Sequence, residues 1–174
     1  ALDGLASKTP DTYRQVRHLV EWTTAELYQY DQTKSKKADV YAINKITILL
    51  ADADTEEGEG ALFDGTAIAN GMNVSRDLGN LPGNICTPVF LAEQARELAN
   101  EYDSITCEIL DEDAMEHLGM GSLLSVGHGS AEPSRLIVIK YNGGEDDSPP
   151  HVIVGKGVTF DTGGISLKPG AKMD

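Results

Sequence analysis

A short apolar run, Val152-Ile153-Val154, lies between Pro149-Pro150 and Gly155 and opens directly into a glycine-rich stretch. That stretch reads Gly155-Lys156-Gly157-Val158-Thr159-Phe160-Asp161-Thr162-Gly163-Gly164-Ile165-Ser166-Leu167-Lys168-Pro169. Apolar runs bounded by turn residues read as buried strands. The glycines let backbone approach a ligand closely where the strand ends, the place at which folds present polar groups. Lys156, Asp161 and Lys168 stand among them. Spacing alone leaves two readings open, an ordinary ion pair or a set of ligand-binding groups.

Residues 154–169 closely resemble the first active-site block of the leucyl aminopeptidase (cytosol aminopeptidase) family. The resemblance implies that Lys156 and Asp161 are metal ligands in a two-metal centre and that Lys168 is a catalytic side chain. It implies two divalent ions, Mn²⁺ or Zn²⁺, as cofactors in the full-length protein. Peptide hydrolysis needs an activated water and a stabilised tetrahedral oxyanion, and two close divalent ions can serve both needs. A carboxylate has two oxygens and can bridge two ions, whereas a lysine amine ligates only when neutral, a form that adjacent cations favour. Lys168 is expected to stay an ammonium and to polarise the scissile carbonyl.

Two further stretches carry the resemblance. Arg76-Asp77-Leu78-Gly79-Asn80-Leu81-Pro82-Gly83-Asn84-Ile85-Cys86-Thr87-Pro88 is the second block. Its Thr87 suits a helix N-cap and Pro88 the first helical position, and no site residue is carried over from it. Gly119-Met120-Gly121-Ser122-Leu123-Leu124-Ser125-Val126-Gly127-His128-Gly129-Ser130 is the third. A nucleotide fingerprint is excluded there, because Leu124 stands where the third glycine belongs, and Lys156 is followed by Gly157 rather than the Ser or Thr of a phosphate loop. The family's remaining carboxylate ligands and its catalytic arginine are expected beyond Asp174. The chain therefore reads as a fragment, inactive and weakly metal-binding by itself.

The fold expected is α/β in three parts. Residues 1–60 form the end of a small amino-terminal α/β domain, 61–79 a linking helix, and 80–174 the first half of a mixed-sheet catalytic domain. Within them, Val16, Leu19 and Val20 recur at helical spacing in a helix over residues 11–30, and Ile46-Thr47-Ile48-Leu49-Leu50 reads as a buried strand. The acidic stretch 52–60 reads as a solvated linker, since it does not complete a calcium loop. A helix over 61–78 carries Leu62, Phe63, Ile68 and Met72, with Gly65 and Gly71 weakening it by about 1 kcal/mol each while allowing close packing. Leu91, Ala95, Leu98 and Tyr102 mark one face of the helix that follows Pro88. Strands are expected at 105–110 and 134–141, the latter beside Val152–Val154 in the sheet. Asp111 is placed to cap a short helix that Gly119 ends.

A net charge of −14 argues against nucleic-acid and acidic-membrane partners, which want basic patches. No apolar run reaches the roughly eighteen residues of a membrane helix, and Ala1-Leu2-Asp3-Gly4 does not read as a secretory signal. Cys86 and Cys107, without a CxxC, fit reduced thiols in a cytoplasmic protein. Peptides are the expected partners, and a hexamer is implied by resemblance. The rival reading is a non-enzymatic DNA-binding or assembly role on the same fold.

Overall fold

The computed structural model describes residues 11–39, 43–144 and 148–161. The chain divides into two compact units, Ala1–Leu81 and Pro82–Asp174.

The first unit is built on helices α1 (Thr12–Leu27) and α2 (Thr55–Asn80). Asp11 caps α1, its carboxylate accepting from the Arg14 amide at 2.8 Å. The two helices run in the same direction, because Tyr13 meets Asp64 near one end and Tyr28 meets Asp77 near the other. The face that α2 buries is made of small residues, Gly58, Ala61, Gly65 and Ala69, spaced at helical intervals. At Gly65 even a methyl group would sit 3.1 Å from the Arg17 carbonyl oxygen and 3.1 Å from Val20 Cβ. The small stripe is thus what lets the backbones close up.

This corrects the expected apolar face. Leu62, Phe63, Ile68 and Met72 lie on the exposed side of α2, Phe63 at 77%. The acidic stretch is also not a linker: Asp52–Asp54 forms a 3₁₀ turn and α2 begins at Thr55. Glu56 and Glu57 then fall in the first helical turn, where the helix dipole favours negative charge. Residues 46–50 form no strand. A strand is held by its ladder, and among the described residues the ladder present is in the other unit. Leu50 instead lays its side chain against Gly58.

The second unit is α/β. Helix α3 (Pro88–Glu101) packs on a two-stranded antiparallel sheet of β1 (Ile105–Leu110) and β2 (Leu136–Tyr141). The register runs from Ile105 opposite Tyr141 to Leu110 opposite Leu136. Thr87 caps α3, its hydroxyl accepting from the Phe90 amide, with Pro88 in the first turn. The face α3 buries is Ala92 and Ala95, while Leu98 and Tyr102 are half-exposed, so the buried stripe is rotated from the one expected. Between the strands run α4 (Glu112–His117) and α5 (Gly121–Gly127). Asp111 caps α4 through the Ala114 amide, Met115 is fully buried, and Gly119 after α4 takes φ +73°, which glycine adopts without strain.

Val152–Val154 carries no strand, contrary to expectation, and all three side chains are exposed. The neighbour of β2 is β1. An apolar run specifies that a strand wants burial, but only a paired backbone makes one.

Candidate active site

Lys156 and Asp161 lie five residues apart on one exposed segment that is neither helix nor strand. Lys168 lies outside the described residues. Gly155 and Gly157, on either side of Lys156, have open space where a Cβ would project. A ligand can therefore approach this backbone from either side of the lysine.

The segment borders a cleft of about 830 Å³ within the second unit. Leu91 of α3, Leu123 of α5, and Leu136 and Ile137 of β2 give it an apolar wall. Lys156, Ser134 and Arg135 bring polar groups to the same space, and Thr159 and Phe160 complete that side. The wall is fastened from below. The Ser134 amide donates to the Glu112 carboxylate at 2.8 Å, which ties the start of β2 to α4. Gly127 gives the Ser134 hydroxyl its room, since a Cβ there would overlap it. The third family block thus gains a packing role at Gly127, whereas His128 is exposed. His117 is exposed too, its Nδ1 lying 2.7 Å from the Asp113 carbonyl oxygen in the preceding turn. Burial pushes the Cys86 thiol above its ordinary range, and both cysteines are free.

An amine nitrogen and a carboxylate oxygen fit a divalent ion in kind. In number they make two donors, whereas such an ion takes about four to six. Among the described residues no group of three His, Cys, Asp or Glu could hold a metal. Lys156 and Asp161 therefore fit as part of a coordination shell.

Sequence reading assigned no site residue to the Pro82-Gly83-Asn84 turn. The structure sets Gly83 against the backbone of Thr159 and the Cβ of Phe160, next to Asp161. The Pro-Gly pair signalled a turn, but a contact across 76 positions leaves no local mark in a sequence.

Comparison with known proteins bears on the same segment. The catalytic domain of the cytosol aminopeptidase family matches residues 73–174. A probable cytosol aminopeptidase of Pseudomonas fluorescens is 52% identical over 174 residues, which is all of this chain and 35% of that protein. The cytosol aminopeptidase of Pseudomonas aeruginosa is likewise 52% identical over the same extent. This chain spans about a third of the length of the curated relatives it matches. A solved structure of the bottromycin maturation enzyme BotP in complex with Mn superposes with a TM-score of 0.72 at 33% identity, covering 98% of this chain and 34% of that one.

Proposed function

The chain belongs to the cytosol aminopeptidase family, and on that premise we propose that it forms part of a two-metal aminopeptidase that releases amino-terminal residues, leucine among them, from peptides. The observation that carries this reading is the block from Val154 to Lys168, in which Lys156 lines a cleft and Asp161 follows five residues on in the same segment. The Mn in the BotP complex supports a divalent metal here, Mn²⁺ or Zn²⁺. When bound, the ions activate a water and polarise the scissile carbonyl.

The chain's own residues divide the remaining work. Lys156 and Asp161 would hold metal, the lysine through a neutral amine and the aspartate through its carboxylate. Lys168 offers a fixed positive charge to the oxyanion. The apolar wall of Leu91, Leu123 and Leu136 excludes water from one side of the cleft. A cytoplasmic location and a homo-oligomer, a hexamer, belong to the same proposal. No helix among the described residues is long and apolar enough to cross a membrane.

The test is leucyl-amide hydrolysis by the full-length protein with Mn²⁺ or Zn²⁺ supplied. Metal-dependent release of leucine is expected, and Lys168→Ala should lower kcat by about a hundredfold to a thousandfold. Turnover indifferent to metal removal, or a Lys168→Ala enzyme as fast as the wild type, rejects the reading.

A further inference from the structure

We propose that Gly83 is a positioning residue for Asp161, an inference that rests on the metal-ligand reading above. A Cβ built at Gly83 would lie 2.9 Å from the Thr159 carbonyl oxygen and 3.1 Å from Phe160 Cβ. Both opposing atoms are backbone or fixed directly to it, so neither can swing aside as the tip of a flexible side chain could. Ordinary contact begins near 3.4 Å, so an alanine would force the two backbones about 0.5 Å apart.

Asp161 is the next residue after Phe160, and a shift of the Thr159 carbonyl carries into it. A metal site needs ligand distances within about 0.2 Å of the ordinary values, so a shift of this size next to Asp161 bears on its fit. Gly83 itself is poorly able to yield. The Pro82 carbonyl oxygen accepts from both the Ile85 and the Cys86 amides at 2.9 Å, closing the turn. Immediately beyond, Thr87 locks the start of α3. The turn is therefore a fixed stop against which residues 159–160 rest.

Backbone conformation is not the reason for glycine here. Gly119 has positive φ and Gly83 does not, so alanine suits the turn's dihedrals and conflicts only with the opposing chain. The turn can thus stay folded while the ligand moves.

Mn²⁺ binding to the metal-free full-length protein, followed by calorimetry, tests the inference on wild type, Gly83→Ala, Asp161→Asn and Asp111→Ala. The last removes the cap of α4 and serves as a stability control. Gly83→Ala should weaken Mn²⁺ binding by about tenfold to a hundredfold, with kcat recovering at high Mn²⁺. Its metal-free melting temperature should fall no further than that of Asp111→Ala, which should bind Mn²⁺ like the wild type. Unchanged Mn²⁺ affinity in Gly83→Ala overturns the proposal while Asp161→Asn still weakens binding. Equal weakening in Asp111→Ala, or a metal-free Gly83→Ala protein that does not fold, also overturns it by making the effect one of general stability. If Asp161→Asn binds Mn²⁺ like the wild type, the ligand reading itself falls.

Discussion

Residues 76–80 lie in a block that resembles the family and residues 151–161 lead into another, and they are held in opposite ways. In the first, Tyr28 donates its hydroxyl to Asp77 at 2.7 Å, Asn80 donates to the same Tyr28 oxygen at 3.1 Å, and Arg76 lies over the Tyr28 ring. Just beyond, Thr87 caps α3. In the second, Ile153 is 95% exposed and its neighbours little less. The difference teaches that polar clasps and caps are complete once two neighbouring elements exist. An apolar run becomes a strand only where another backbone pairs with it, and no such pairing is present for 151–161 among the described residues.

The comparison breaks most sharply at Ile153. In residues 1–174 alone, Ile153→Asp should change stability by under about 0.5 kcal/mol, as exposed substitutions do. Denaturant melts measure the change, and a loss of about 2 kcal/mol or more would show that the side chain is buried. Thr87→Ala should cost about 1 kcal/mol, because a cap needs only its own helix.

The clasps should also show in alkali. Tyr28 is raised above its ordinary pKa of 10.0 by burial and then by its bond to Asp77, and Tyr13 is raised chiefly by its bond to Asp64. A raised phenol binds its proton more tightly when folded. Its contribution is whole below the unfolded value near 10 and is lost as pH rises through the higher folded value. Stability should therefore decline above about pH 10, and Tyr28→Phe should flatten part of that decline in melts taken across the range. The smallest effect is expected at Gly71, where a Cβ meets nothing within 4 Å. Gly71→Ala should stabilise α2 by up to about 1 kcal/mol, whereas Gly65→Ala, pressed on Arg17 and Val20, should destabilise it.

What the sequence determined by itself was everything carried by close neighbours and by wording. Thr87 and Asp111 announced their helices because a cap reaches only three residues on, and Gly119 announced an ending because its backbone conformation is its own. The block around Lys156 and Asp161 declared the family by its wording, which the family model matches over residues 73–174. Tertiary structure decided which residues face inward and what pairs with what. It buried Gly58, Ala61, Gly65 and Ala69 in place of the larger Leu62 and Phe63, because α1 approaches closely enough that only small residues fit. It paired β1 with β2 and set Gly83 beneath Thr159. Such contacts join positions far apart in the chain, and their energy depends on distances that no local pattern of residues encodes.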